Sequence, residues 1–301
     1  MKTQIRQDLS TVARAYKNGG LIGGLVCPIV PVNKREFIYT VFGKENLLGV
    51  DTKKSPKGQT PRLGLEFGSA EGVCEDHAFA VELDKRQRED DEVGATIRAP
   101  RVAMDVIMLR HEVLVKDLIF GAANYAVGLK STLAGASQWT HADSDPVAAV
   151  NTAKAAVRNK VGLEPNTLVI GGAVLDALRV HAKIRSYLPD NQLGVVDETI
   201  LARIFGVERV LVGKAIVSDS EGTVSTVWGD FAAVIHVKAT AEGTADMQDP
   251  CFAKTFAKRG YPMTDGWYVD DTDVQYYRTA HCYKVAQTHQ EAGYLFSDVC
   301  A

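Results

Sequence analysis

Between residues 165 and 237 short elements follow one another so closely that this stretch constrains the fold more than any other. It reads PNTLVIGG, AVLDALRVHAKIRSYL, DNQLGVVDE, TILARIFG, VERVLVGKAI, then a hairpin ending WGDFAAVIHV. Leu168, Val169 and Ile170 make a short apolar run closed by Gly171 and Gly172, which is a strand signal. Val174, Leu175 and Leu178 then recur at helical spacing. Asp197 is placed to cap a helix over 198–205, and Gly206 stops it in the left-handed conformation that glycine adopts cheaply. The loops offer no clustered nucleophile, base and orienting group. A stretch so well specified and so poor in reactive groups reads as a building block rather than an active site.

With 301 residues, the chain has room for one large domain or two ordinary ones, each with its own core. Its 46% hydrophobic and 24% charged residues exclude disorder on composition, and a net charge of −3 argues against a basic face built to grip nucleic acid. A container for DNA is compatible with that charge. Cys27, Cys74, Cys251, Cys282 and Cys300 contain no C-x-x-C pair, so they read as reduced thiols rather than a disulfide framework or zinc site. The N-terminus is polar and charged, unlike a signal or anchor. The longest apolar run, 21–32, carries Gly23, Gly24, Pro28 and Pro31 and is too short to cross a bilayer. A soluble, cytoplasmically made protein is expected.

Ile5, Leu9, Val12 and Tyr16 share one face of a short helix ended by Gly19 and Gly20. Residues 21–32 then predict an extended arm seated on a neighbouring subunit, the alternative being an edge strand on its own domain. Residues 36–42 and 73–83 predict the strands of a hairpin, with Lys53, Lys54, Lys57 and Arg62 near its tip. Each connecting arm of roughly 20 residues reaches at most about 65 Å. Such a ribbon is marginal alone and needs a surface to lie across.

The charge run KRQREDDE at 85–92 reads as a solvated turn. Val102, Val106, Leu109, Val113 and Leu118 predict a helix over 100–124, a rod of about 37 Å. Asp145-Pro146 is a strong helix start, and that helix runs through Val150, Ala153 and Val157 to Gly162. Residues 250–260 and 267–285 predict two strands, the second unusually long.

Catalytic and ligand motifs fare poorly. Gly128-Leu129-Lys130-Ser131-Thr132 lacks the upstream glycine and the strand–helix setting of a phosphate loop. Gly171-Gly172 lacks the third glycine and the later parallel strands of a dinucleotide fold. The 141–145 segment, His-Ala-Asp-Ser-Asp, lacks the glycine and distal glutamate of a calcium loop. Asp270, Asp271 and Asp273 read as a solvated loop. His281 and Cys282 are strand neighbours pointing to opposite faces. His77, His111, His181, His236 and His289 are dispersed singly. No catalytic, cofactor or metal residue is therefore assigned, and a non-enzymatic protein is expected.

Taken together, PNTLVIG, the helix followed by HAKI, FGVERVLVGKA and WGDFAAVIHV resemble the axial domain of tailed-bacteriophage major capsid proteins with the Hong Kong 97 fold. The order of the remaining segments, down to EAGYLFSDV, extends the resemblance over nearly the whole chain. It implies an α+β fold with an N-terminal arm at 1–35, an extended β-hairpin loop at 36–83, and a peripheral domain with a long spine helix at 84–140. An axial α/β domain at 141–244, peripheral return strands at 245–284 and a C-terminal return at 285–301 complete the plan. It further implies a virion protein assembled in the bacterial cytoplasm as pentamers and hexamers of an icosahedral shell. Inter-subunit contacts are expected through Lys53, Lys54, Lys57 and Arg62 of the loop and through Asn191 and Glu221 of axial turns. Expected partners are a portal protein, a separate scaffolding protein, a decoration protein, and double-stranded DNA touched weakly and without sequence preference. The alternatives are an encapsulin-like nanocompartment shell and, from another class, a nucleotide-binding α/β enzyme.

Overall fold

The computed structural model describes residues 4–15, 20–43, 53–54, 68–84, 86, 94–188, 196–218, 221–240 and 243–300. Within these, the chain opens with β1 (Gln4–Ile5), α1 (Gln7–Ala15), α2 (Gly23–Val26), β2 (Ile29–Val32), β3 (Glu36–Val41), β4 (Gly68–Val73) and β5 (Glu75–Asp84). The long α3 (Ala95–Ile119), β6 (Lys130–Thr132), α4 (Pro146–Val161), β7 (Thr167–Gly171), α5 (Gly172–Val180), α6 (Ala182–Ser186) and α7 (Glu198–Phe205) follow. The chain closes with β8 (Arg209–Gly213), β9 (Ile216–Ser218), β10 (Val224–Thr226), β11 (Ala232–Ile235), β12 (Ala253–Lys258), β13 (Met263–Val269), β14 (Val274–Gln287) and β15 (Gly293–Ser297).

Two sheets organise these elements. The first is built on the 14-residue β14. Along one edge it pairs antiparallel with β5, from Val274↔Asp84 to Tyr283↔Glu75. Along the other it pairs first with β13 and then with β12, and β2 joins β12 in parallel. The expected strand over 267–285 is thus two strands, broken at Asp270–Thr272 and by Asp273, whose φ of 54° lies in the left-handed region. No glycine or proline marks this turn; aspartate tolerates that conformation through its short polar side chain.

The second sheet has the order β6-β15-β11-β7-β8. Its β7 and β11 are buried on both faces, which explains their unbroken apolar sequences. Leu168, Ile170, Val234 and Phe296 pack with α4, α5 and α7, whereas Val169, Ala233 and Leu295 meet Trp228, Phe252 and the end of α3. The caps fall where the sequence puts them. Asp145 accepts a hydrogen bond from Ala148 N at 3.0 Å with Pro146 beside it, and Asp197 accepts one from Ile200 N at 2.8 Å. Gly162 and Gly206 end their helices at φ 70° and 60°.

Helix α3 joins the two sheets. Its Ala99, Met104 and Ile107 pack on the first, and Val115 and Ile119 reach the core of the second. It starts before the expected position, and its buried face is rotated: Leu109, Val113 and Leu118 of the expected stripe pack against the second core, but its N-terminal members do not. Val102 and Val106 are 40% and 41% exposed, while Ala103, Met104, Ile107, His111, Glu112 and Val115 face inward. Periodicity alone finds the helix but cannot choose between two stripes of similar polarity.

Three further expectations need correction. Residues 21–32 are not an arm on another subunit: Val26, Cys27, Val30 and Val32 are buried and β2 pairs within its own chain. In addition, Ile5 sits in β1 rather than in the first helix. The partner of β3 is β4, GSAEGV, rather than residues 73–83, most of which leave the ribbon to form β5. Gly72 is what makes β4 fit. It lies opposite Phe37, and a Cβ there would sit 2.6 Å from the Phe37 ring. Phe37 and Tyr39 then pack on buried Phe256 at ring separations of 4.7 and 5.1 Å, anchoring the ribbon base to the first sheet.

Candidate functional site

The polar centre of the molecule lies where α3, α2 and the second sheet meet. Glu112 is 1% exposed. Its Oε1 accepts hydrogen bonds from Ile22 N at 3.0 Å and Trp228 Nε1 at 2.8 Å, and its Oε2 accepts one from Gly23 N at 2.6 Å. Burial raises the pKa of this carboxyl, and the two backbone donors and the indole pull it back. A side chain at Gly23 would place a Cβ 2.6 Å from Glu112 Oε2, so only glycine lets the backbone come this close. This junction positions elements and offers no reacting group.

Each motif weighed in the sequence has a defined place in the fold. At the mouth of the β7–α5 unit a Cβ on Gly171 would lie 1.8 Å from the Gly229 carbonyl oxygen, and one on Gly213 would lie 2.0 Å from the Trp228 ring. These glycines admit the chain's own backbone and indole where a dinucleotide fold would admit a phosphate. Residues Lys130–Thr132 form a strand rather than a helix N-terminus, and Lys130 Nζ donates to the Ala122 carbonyl at 3.0 Å. His141 Nδ1 accepts from Asp143 N, Ser144 Oγ lies 3.0 Å from His181 Nε2, and Asp145 is spent on its cap. Asp270, Asp271 and Asp273 are exposed in the β13–β14 turn, where the Tyr268 hydroxyl donates to Asp273. Among the described residues no group of three or more His, Cys, Asp or Glu is placed to hold a metal ion. No helix among them is long and apolar enough to cross a membrane. Cys27, Cys74, Cys251, Cys282 and Cys300 are all free thiols, and burial pushes Cys282 up to about 12.

The surface has a different character. On the ribbon and β5, Ile38, Val73 and Phe79 are 64%, 51% and 42% exposed. Pro31, Val32, Phe37, Ile38 and Met247 line an open groove of about 710 Å³ beside the ribbon. A second groove of about 340 Å³ runs between α3 and the β9–β10 hairpin, lined by Leu21, Val106, Leu109 and Ile216. Of the residues expected at subunit contacts, Lys53 and Lys54 are exposed, and Glu221 is exposed at the turn of the β9–β10 hairpin. Lys57, Arg62 and Asn191 lie outside the described residues. The Glu112 junction and the exposed α3 stripe escape sequence reading. The one signal for the junction is a polar His111-Glu112 pair inside an otherwise apolar helix face.

A long helix bridging two sheets, a two-stranded ribbon and a buried α/β unit define the α+β Hong Kong 97-type capsid fold, shared by phage shells and encapsulins. Solved structures match it end to end. A phage-related protein from Bordetella bronchiseptica RB50 superposes with a TM-score of 0.82 at 24% identity, covering 99% of this chain and 98% of that one. The mature capsid of bacteriophage PhiM1 superposes with a TM-score of 0.55 at 13% identity, covering 94% and 88%. In sequence, the chain is 29% identical over 293 residues to the major capsid protein of Burkholderia phage BcepMu, covering 97% of this chain and 95% of that protein. It is 28% identical over 254 residues to the major capsid protein of Pseudomonas phage JBD67, covering 77% of each. No protein-family profile matches. The chain is thus a relative of phage major capsid proteins and carries their fold.

Proposed function

We infer that this chain is a major capsid protein, whose copies assemble as pentamers and hexamers into an icosahedral head around double-stranded DNA. The observation that carries this reading is the 29% identity to a phage major capsid protein over almost the full length of both chains. The fold is compatible with encapsulins as well, so sequence relatedness favours the phage reading over a nanocompartment. The packed mouth of the β7–α5 unit argues against the nucleotide-binding enzyme.

In this reading residues 1–35 form the arm segment and 36–83 the extended loop. Residues 84–140 and 245–284 form the peripheral domain, and 141–244 the axial domain, to which 285–301 return. The role is structural rather than catalytic. A portal and a separate scaffold are the partners this reading assigns, with a decoration protein as an optional addition, in a virion assembled in the bacterial cytoplasm. Electron microscopy of the expressed protein tests the reading: closed shells or five- and six-membered rings support it, and dispersed monomers refute it. Cysteine substitutions at Asn191 and Glu221 test the axial contacts, with pentamer and hexamer ladders expected after oxidation and dimers alone contradicting the assignment.

A further inference from the structure

Three histidines from two strands and a helix surround the ring of Tyr283. His77 of β5 stacks on it with ring centroids 4.2 Å apart, and His281 of β14 and His111 of α3 meet it edge-on at 5.1 and 5.2 Å. His77 and His281 stand directly opposite each other in the β5–β14 register. Tyr283 is 1% exposed and His111 3%. The cluster therefore lies where α3 rests on the strand pair that leads into the ribbon.

The hydrogen bonds place one proton of His111. Thr255 Oγ1 donates its one proton to the Cys27 carbonyl at 3.1 Å, so its contact of 2.9 Å with His111 Nε2 makes that nitrogen the donor. Full burial of the ring with no acceptor for a second N–H then favours the neutral imidazole, with a bare lone pair on Nδ1. Among the described residues neither His111 Nδ1 nor His281 Nδ1 has a hydrogen-bond partner, although both atoms are buried.

The charged groups around the cluster compensate a new positive charge only in part: Glu75 and Asp76 favour a charged His77, while Arg110 and Lys284 oppose it. On β5 and β14, Glu75 accepts from Lys284 Nζ at 2.6 Å, and Asp76 is paired with Arg35. On α3, Arg110 adds a further positive charge, and the Glu112 carboxylate is committed to its three donors. Burial accordingly depresses His111 to about 3 and His281 to about 4, and it lowers His77 as well; for His111 the other two histidines add to the effect.

We propose that this cluster is an acid-sensitive latch: its imidazoles hold α3 against β5 and β14 while uncharged, and protons taken from solvent release the helix from the sheet. Each event adds one proton to one ring; at His111 it goes to Nδ1. In the closed state the rings stay neutral where free histidines, with a usual value near 6.5, would be charged. The latch is therefore fully stable above about pH 6.5 and weakens as pH falls toward 4, because the open state binds more protons. Only the consequence for a shell, loosening of the ribbon's attachment, rests on the capsid reading. The latch itself is a property of one subunit.

Hydrogen–deuterium exchange mass spectrometry of the full chain as dissociated subunits between pH 7.5 and 4.5 tests this, with rates corrected for intrinsic chemistry. Peptides from α3 and β5 are expected to lose at least about tenfold in protection as pH falls, while α4 and α7 stay protected. The double variant His77→Phe, His281→Phe keeps the ring packing and removes two protonation sites, so its opening is expected at least one pH unit lower, by roughly the tenfold-per-unit rule. Simultaneous loss of protection in all helices, or an unchanged midpoint in the double variant, overturns the proposal. Exchange at the imidazole Cε1 positions of the unmodified protein gives a readout independent of any variant. Titration of His111 and His281 below pH 5 supports the latch, and titration of both near 6.5 overturns it.

Discussion

Glu112 shows how much one residue can hold. It satisfies three buried donors from two other parts of the chain, and an unsatisfied buried donor costs about 1–3 kcal/mol. Glu112→Leu is therefore expected to destabilise the subunit by roughly 3 kcal/mol or more, and Glu112→Gln, which keeps one acceptor oxygen, by about 2 kcal/mol. Urea unfolding of dissociated subunits measures both, and equal loss in the two variants would contradict the donor count. Gly213 makes the complementary point by steric means. With Trp228 atoms 2.0 Å from where a Cβ would stand, Gly213→Ala is expected to cost about 1–3 kcal/mol through overpacking. A thermal melt that does not move would mean the indole has another place to go. Neither role is visible in sequence, because both depend on which residue from far along the chain arrives at the site. The same holds for His77, His111 and His281, which look scattered until the β5–β14 register and α3 bring them around Tyr283.

At the scale of elements, legibility followed the range of the chemistry. Asp145, Pro146 and Gly162 specify α4 through local capping, and Asp197 and Gly206 do so for α7, so both were readable. Asp197→Ala is expected to lower stability by about 1 kcal/mol in the same unfolding assay, a single lost N-cap. The face of α3 was not readable, since Val102 and Val106 are as apolar as the buried stripe and only the position of the sheet decides between them. Strand β4 escaped because GSAEGV has weak strand propensity; pairing with β3 and the room that Gly72 gives Phe37 override it. Residues 21–32 need a partner surface, and β12 of the same chain supplies it for β2, in line with the edge-strand alternative. Deleting residues 50–62 is expected to leave both sheets folded, because the ribbon base is anchored by Phe37 and Tyr39 on Phe256, while preventing stable shells. Unchanged circular dichroism with loss of particles is the predicted outcome, and normal particles would remove the loop from the assembly contacts.

For the whole molecule, the fold was legible as an order of segments, whereas the surfaces that build a shell were not. The fold's polar and aromatic contacts join α3 to two sheets, and its exposed apolar groups include residues of the ribbon, β5, the outer face of α3 and the β9–β10 hairpin. Such a body buries its own core and still presents apolar grooves beside the ribbon and along α3. With a net charge of −3, its contact with DNA is expected to be weak, salt-sensitive and indifferent to sequence. The central claim is that the chain is a shell subunit, and light scattering coupled to size-exclusion chromatography of the purified protein tests it most directly. The account predicts particles many times larger than the 32.6 kDa chain, as rings of five or six copies or closed shells; a stable, folded monomer at every concentration and salt level would contradict it.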